Sequence, residues 1–159
     1  MEDVVGLLRI RVRRGINLVS RESSGSDPFV VITMGPEKVK TRGVENNCNP
    51  EWNDEVTLAI TDPNEPVILE VYDEDTFTSH DKMGDAEIDI KPFLEFQKMG
   101  FQQLSDGTEI KRVKPSGNNC LSQESRIISS NGKLVQDMIL RLRDVETGEV
   151  EIQIEFINI

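Results

Sequence analysis

Apolar and polar residues alternate strictly over several short stretches of the chain, and this alternation is the feature that most limits its possible folds. It is clearest near the two ends, at Leu8, Ile10 and Val12 and at Val150, Ile152 and Ile154. A period of two residues places successive side chains on opposite faces of a β-strand. Further short apolar runs recur about every ten residues, with Gly, Pro and Asn turns between them, as in an all-β sandwich. The sequence therefore predicts an antiparallel β-sandwich.

One stretch departs from this rhythm because a strand pattern is followed by a run of acidic residues. Residues 68–72 have the β-branched and aromatic content of a strand, and the chain then continues through Asp73, Asp75 and Asp81. Asp73 and Asp75 lie two residues apart, so an extended backbone directs both side chains to the same face. Carboxylates that converge without a basic partner repel one another, unless a hard cation such as Ca²⁺ lies between them.

A second loop supplies further oxygen ligands for such a cation. Asp27 precedes a proline, which favours an extended conformation at the start of the next strand. Glu22 and the main-chain carbonyl of Arg21 are additional candidates. No twelve-residue loop has the ligand spacing of an EF-hand, so the site joins two separate loops. The alternative is that an acidic protein, with 29 Asp and Glu against 18 Lys and Arg, has acidic loops without a function.

Composition excludes several classes of function. The net charge of −11 argues against nucleic acid as the main partner. Cys48 and Cys120 show neither a zinc-binding spacing nor a close pair, which favours isolated reduced thiols in a cytosolic protein. We expect no signal peptide, no membrane span and no lipidation site, so any membrane contact is expected to be peripheral.

Basic and aromatic residues add two candidate surfaces. Lys38, Lys40 and Arg42 alternate along one predicted strand and form either a basic face for anionic lipid or an ordinary solvated face. Phe77 is the apolar side chain of the acidic loop and is a candidate for shallow insertion into headgroups. His80 is expected to be a solvated loop residue, since calcium prefers oxygen ligands.

A predicted helix interrupts the strands after Pro92. Residues 93–99 are expected to be helical, with Pro92 in the first turn and Gly100 at the end. Phe93 and Phe96 of this helix either pack on the sandwich or form a partner-binding surface. Beyond the helix, the sequence predicts a hairpin strand at residues 109–114, a long strand at 134–145 and Trp52 as a core anchor.

Three segments together resemble the C2 domain, an eight-stranded Greek-key β-sandwich that binds calcium and phospholipid. These segments are residues 26–30 (Ser-Asp-Pro-Phe-Val), 49–53 (Asn-Pro-Glu-Trp-Asn) and 71–84. An additional insert at about residues 91–136 narrows the resemblance to the small plant C2-domain abscisic-acid-related proteins. The resemblance implies a single C2 domain over residues 1–159.

The resemblance also implies a ligand set and partners. The calcium ligands, for two ions, would be Arg21 and Glu74 through their main chains together with Glu22, Asp27, Asp73, Asp75 and Asp81. Glu22 departs from the family, which usually has aspartate there. The implied function is calcium-dependent binding of anionic phospholipid and recruitment of abscisic acid receptors of the pyrabactin-resistance type to the plasma membrane. The implied locations are the cytoplasmic face of that membrane, the cytosol and the nucleus.

Three other functions compete with this membrane adaptor. Some relatives are described as activators of an unconventional G-protein, for which Arg112, Arg126, Arg141 and Arg143 are candidate inserted arginines. A calcium-independent interaction domain with vestigial aspartates is a further alternative, which Glu22 leaves open. A phospholipase is excluded, because the sequence has no nucleophile elbow and its one histidine lies in the acidic loop.

Overall fold

The alternating stretches form the strands of two antiparallel sheets. The computed structural model describes residues 4–19, 27–44, 48–74, 81–100 and 104–159. The strands in these ranges are β1 (Gly6–Ile16), β2 (Asp27–Met34), β3 (Glu37–Lys40), β4 (Glu51–Ile60), β5 (Val67–Glu74), β6 (Asp81–Ile88), β7 (Glu109–Val113), β8 (Ser125–Ser130), β9 (Lys133–Arg141) and β10 (Glu149–Ile157). Helix α1 (Lys91–Met99) lies between β6 and β7. Within these ranges, no helix has the length and apolar content that crossing a bilayer requires.

The two sheets have different sizes. One has six strands in the order β4-β1-β10-β9-β8-β7, and the other has four in the order β3-β2-β5-β6. The predicted all-β sandwich is confirmed, but the described residues contain ten strands rather than eight. The difference arises between α1 and β9, because β7 and β8 extend one sheet beyond β9.

The core lies between the sheets and is built from the inner faces of the alternating strands. Leu8, Ile10 and Val12 of β1 are fully buried, as is Trp52 of β4. The indole N–H of Trp52 donates a hydrogen bond to the carbonyl of Pro28 in the opposite sheet, at 2.8 Å. Trp52 is thus the predicted core anchor, and it also ties the start of β4 to the start of β2. Burying each large aliphatic side chain contributes about 2 kcal/mol.

Strand β8 was not predicted because serines occupy part of its inner face. Ser125, Ile127 and Ser129 are all buried, as alternate residues of a strand are. Because two of the three are polar, the sequence does not show the usual alternation of apolar and polar residues. The hydroxyl of Ser125 donates to the Asp137 carbonyl at 2.6 Å and accepts from the Gln136 amide at 2.9 Å. These bonds satisfy the buried hydroxyl, so a serine is tolerated at a core position.

Strand β9 ends at Arg141, earlier than the predicted 145. The chain turns after Leu142, whose N–H donates to the Gly148 carbonyl at 3.0 Å, and Asp144 adopts a left-handed conformation at φ 60°. The second half of β9, which β8 leaves uncovered, is paired by residues 120–122: the Ser122 N–H donates to the Ile139 carbonyl, and the Arg141 N–H donates to that of Cys120. This pairing protects an otherwise open sheet edge.

Candidate metal site and its surroundings

Strand pairing brings four acidic positions together at one end of the four-stranded sheet. Asp27 begins β2 and lies opposite Glu74, the last residue of β5. Asp73 lies opposite Asp81, the first residue of β6. We call this sheet end the acidic pole. Acidic residues opposite each other on neighbouring strands destabilise a sheet, unless a positive charge is bound between them.

The position of Asp73 favours a bound cation. Asp73 continues the inward-facing series of Val67, Leu69 and Val71 and is only 4% exposed. Its carboxylate therefore lies at the end of the core. Ionising a carboxyl group in this low-dielectric environment costs free energy, and a bound positive charge would offset that cost. The two described side chains of the pole, Asp27 and Asp73, offer carboxylate oxygens, the donor type that calcium prefers.

Several predicted ligands cannot be placed. Arg21, Glu22 and Asp75, together with Phe77 and His80, lie outside the described residues. For Glu74 and Asp81 the backbone is described but the side chains are not. Among the described residues, no group of three or more His, Cys, Asp or Glu side chains could hold a metal ion. The complete two-loop site therefore remains a prediction, of which the structure brings together the strand positions 27, 73, 74 and 81.

A network of ion pairs that the sequence did not reveal lies beside the acidic pole. Asp85 of β6 is 8% exposed and accepts from Lys82 at 2.8 Å and from Arg143 at 2.9 Å. Lys82 also contacts Glu70 at 3.2 Å. Burial raises the pKa of Asp85, but the hydrogen bonds from Lys82 and Arg143 outweigh it and hold that pKa below its usual value. Asp85 is therefore an ion-paired structural carboxylate.

The network extends to an aromatic side chain on the outer face of the same sheet. The hydroxyl of Tyr72 donates to Glu70 at 3.1 Å. Burial, followed by the charge of Glu70, raises the pKa of Tyr72, and the hydrogen bond to Asp85 raises the pKa of Lys82. Both side chains therefore keep their neutral-pH protonation state. No local sequence motif indicates this cluster, because its members come from β5, β6 and the turn after β9.

The three predicted basic residues have different surroundings. Lys38 and Lys40 are exposed on β3, and the Lys40 ammonium lies 5.8 Å from the centre of the Phe29 ring. Phe29 stacks on Tyr72 with ring centres 5.9 Å apart. Arg42 instead pairs with Asp54 at 3.6 Å. Among the described residues the lysines form no ion pair, whereas Arg42 is paired, although the register of β2 with β3 places Arg42 nearer the acidic pole.

Helix α1 has the predicted boundaries, and its two phenylalanines differ in accessibility. Phe93 is fully buried in the core, so its side chain cannot contact a partner directly, and that assignment is corrected. Phe96 is half-buried against the core and remains the partner-binding prediction. Pro92 lies in the first turn, and Gly100 ends the helix in a left-handed conformation at φ 67°.

Comparisons with known proteins agree with this architecture. The C2 domain family matches residues 6–105. The chain is 74% identical over 159 residues to C2-DOMAIN ABA-RELATED 8 of Arabidopsis thaliana, which covers 100% of this chain and 96% of the relative. It is also 52% identical over 156 residues to GTPase activating protein 1 of Oryza sativa subsp. japonica, covering 98% of this chain and 94% of the relative.

Two solved structures share the fold at low sequence identity. The calcium-bound tandem C2 domains of Extended-Synaptotagmin 2 match with a TM-score of 0.66 at 19% identity, covering 99% of this chain and 48% of theirs. A C2 domain of plant Extended Synaptotagmin 1 matches with a TM-score of 0.62 at 20% identity, covering 99% of this chain and 98% of that domain.

Proposed function

Because the chain belongs to the C2-domain ABA-related family of C2-domain proteins, we propose that it is a calcium-dependent adaptor. In this proposal it binds anionic phospholipid through the acidic pole and recruits abscisic acid receptors of the pyrabactin-resistance type to the plasma membrane. The observation that carries the proposal is the buried Asp73 carboxylate at a sheet end where three further acidic positions meet.

The ligand set is proposed as the family resemblance implies it. Main-chain carbonyls of Arg21 and Glu74 would join the carboxylates of Glu22, Asp27, Asp73, Asp75 and Asp81. When bound, two calcium ions would supply four positive charges and open coordination positions for lipid phosphate or carboxylate. Whether the longer Glu22 side chain preserves both positions decides if one or two ions bind.

This arrangement explains how a protein of net charge −11 binds an anionic membrane. The five proposed carboxylates give the pole a charge of about −5, which repels lipid headgroups until cations neutralise it. The effect is an electrostatic switch that needs no large change of shape. Lys38 and Lys40 then contribute roughly 1 kcal/mol each near an anionic surface. Binding remains shallow, with Phe77 as the proposed inserting side chain.

Vesicle binding by a pole variant tests the proposal. We expect wild-type protein to sediment with phosphatidylserine-containing vesicles in calcium and not in chelator. The Asp73→Asn/Asp75→Asn variant should bind at least about tenfold more weakly in calcium, because calcium affinity depends steeply on ligand charge. Calcium should also raise the melting temperature of the wild type but not of the variant, since only a bound ligand stabilises the fold.

Asp106→Asn, compared with the single variant Asp73→Asn, is the control for loss of one carboxylate outside the acidic pole. It removes one negative charge in the turn before β7, and asparagine retains an acceptor oxygen for the Asn131 N–H that Asp106 binds at 2.8 Å. Equal vesicle binding in calcium and in chelator would contradict the electrostatic switch. Lipid binding would then be assigned to Lys38, Lys40 and Arg42. Binding in neither condition would contradict the membrane function itself.

A second candidate function is activation of a G-protein, favoured by the 52% identity to the rice protein named GTPase activating protein 1. Of the four candidate arginines, Arg112, Arg126 and Arg143 form ion pairs with carboxylates. Arg141 is exposed and has no ion pair among the described residues. It is therefore the arginine most available to enter a partner's active site.

Single-turnover hydrolysis of GTP by an unconventional G-protein tests this second function. If an inserted arginine is used, the wild type should accelerate hydrolysis and Arg141→Lys should lose most of that acceleration, because lysine lacks the bidentate guanidinium. Arg11→Lys, on the outer face of β1, is the control. Equal acceleration by Arg141→Lys would remove Arg141 from the mechanism, and no acceleration by the wild type would end this candidate function.

A further inference from the structure

The end of the sandwich opposite the acidic pole has a groove that the proposed lipid function does not use. β1 runs from Gly6 at the groove end to Ile16 at the pole end, where the pairing of Trp52 with Pro28 joins the two sheets. The groove has a volume of about 650 Å³. We call it the α1 groove, and its principal lining residues are Val5, Leu94, Phe156, Lys91, Glu95 and Lys98.

Exposed apolar residues are concentrated at this end. In the described part of the chain, the large hydrophobic residues that remain exposed are Val4 (38%), Val5 (52%), Met99 (66%) and Ile159 (75%). Val4 and Val5 precede β1, Met99 ends α1, and Ile159 follows β10. Val5 lines the groove, and each of the other three is next in sequence to a lining residue. Exposed apolar residues grouped at a concave surface indicate a binding site.

The face of α1 toward the groove has a defined pattern of charge. Lys91, Leu94 and Lys98 are spaced three and four residues apart, which places them on one helix face. The lysines are two turns apart, about 10 Å along the axis, with Leu94 between them. Among the described residues neither lysine is in an ion pair, although Glu95 lies on the same face. The groove therefore presents an apolar centre with an available positive charge at each end.

Charge also distinguishes among possible occupants. Asp62 and Glu65 lie in the turn between β4 and β5 and make the rim of this end acidic. A flat anionic bilayer would have to contact this rim as well as the lysines, whereas a short segment inside the groove contacts the lysines alone. A second copy docked through the same face would bring its own Lys91 and Lys98 against these lysines, so that like charges would meet. A segment with apolar side chains in its centre and carboxylates about 10 Å apart matches the groove in both respects.

We propose that the α1 groove binds a short amphipathic segment of a partner protein. Its apolar side chains lie against Val5, Leu94 and Phe156, and its acidic side chains pair with Lys91 and Lys98. This inference rests on the proposed adaptor function, because it provides the surface by which a membrane-bound adaptor holds a protein partner.

Selection from a display library of 16-residue peptides on the wild-type protein tests the inference. We expect enriched peptides with apolar residues flanked by Asp or Glu, and about tenfold weaker binding of these peptides to Lys91→Glu/Lys98→Glu. Val5→Ser should also weaken binding, without changing charge. Lys111→Glu/Lys114→Glu, an equal charge change in and after β7, should leave binding unchanged. Unaltered Trp52 fluorescence in each variant confirms that it is folded.

Other outcomes would overturn the inference. The inference fails if no peptide is enriched, or if the enriched peptides bind Lys91→Glu/Lys98→Glu as tightly as the wild type. It also fails if light scattering shows a dimer that these substitutions dissociate, or if the protein binds vesicles in chelator and these substitutions abolish that binding. The dimer would identify a second copy as the occupant, and the vesicle result would identify a membrane. Calcium-dependent vesicle binding, measured on the same variants, reports separately on the acidic pole, so the adaptor's membrane function can fail without the groove failing.

Discussion

At the scale of single residues, Gly84 is the position where the backbone beside the acidic pole tolerates least change. It has a φ of 114°, and a Cβ atom there would lie 2.9 Å from side-chain carbons of both Leu142 and Val145. It lies where the pairing of β5 with β6 shifts register, between the pairs Tyr72–Lys82 and Glu70–Asp85. The bulge therefore requires a residue without a side chain.

Gly84→Ala should lower the free energy of unfolding by about 3 kcal/mol, because it combines backbone strain with a steric clash. Urea unfolding followed by the fluorescence of Trp52, the one tryptophan in the chain, measures this loss. Gly117→Ala is the control, since nothing lies within 4 Å of a Cβ built there. A change below about 0.5 kcal/mol in Gly84→Ala would show that the bulge relaxes to accept a side chain.

At the scale of elements, β6 is held to the turn after β9 by Asp85 and Arg143. Their backbones exchange two hydrogen bonds, at 2.7 and 3.3 Å, and their side chains form the ion pair. The backbone N–H of Glu87 adds a contact to the sulfur of Cys120, at 3.4 Å. These contacts join β6, an edge strand of the four-stranded sheet, to the end of β9 in the six-stranded sheet, so that β6 is supported from both sheets.

The Asp85 pair should make stability depend on pH. Its hydrogen bonds lower the folded-state pKa below the unfolded value of about 3.9, so the stabilisation is present above that pH and is lost as pH falls through the folded-state pKa. At pH 7, Asp85→Asn should lower the free energy of unfolding by about 2 kcal/mol. Urea unfolding at pH 7 and pH 3 should show this difference shrinking at the lower pH.

Glu124→Gln provides the comparison for that measurement. Glu124 pairs with Arg112 at 3.0 Å, but both side chains are nearly half exposed, so its substitution should cost less than about 0.5 kcal/mol. If Asp85→Asn behaves like Glu124→Gln, or if its effect is the same at pH 3 and pH 7, the pair does not stabilise the junction between the sheets.

The elements also show how far the sequence could be interpreted. β1 and β10 were predictable because apolar side chains alternate along them, and α1 because Pro92 and Gly100 mark its ends. β8 was not, because buried serines conceal its alternation. At the candidate site, the positions of Asp27 and Asp73 at strand ends followed from local patterns. The Asp85 network and the Phe29–Tyr72 stack did not, because strand register alone brings their members together.

At the scale of the whole molecule, the acidic pole and the exposed apolar residues occupy opposite ends. The pole combines Asp27, Asp73, Glu74 and Asp81. At the other end Val5 lines the α1 groove, and Val4, Met99 and Ile159 are each next in sequence to a lining residue. Helix α1 lies at the groove end, and β7 and β8 extend the six-stranded sheet beyond β9. A C2 sandwich is thereby given a second surface without any alteration of the loops proposed to bind calcium.

The length of β1 gives this separation a consequence. Its eleven residues rise about 3.3 Å each, so the two ends are roughly 35 Å apart. The Debye length at physiological ionic strength is about 8 Å, so a partner in the groove is screened from the charge of a bilayer at the pole. Calcium would then determine where the protein is and not how tightly it holds its partner. Membrane location and affinity for the partner would be separate properties, and a substitution could change either one without changing the other.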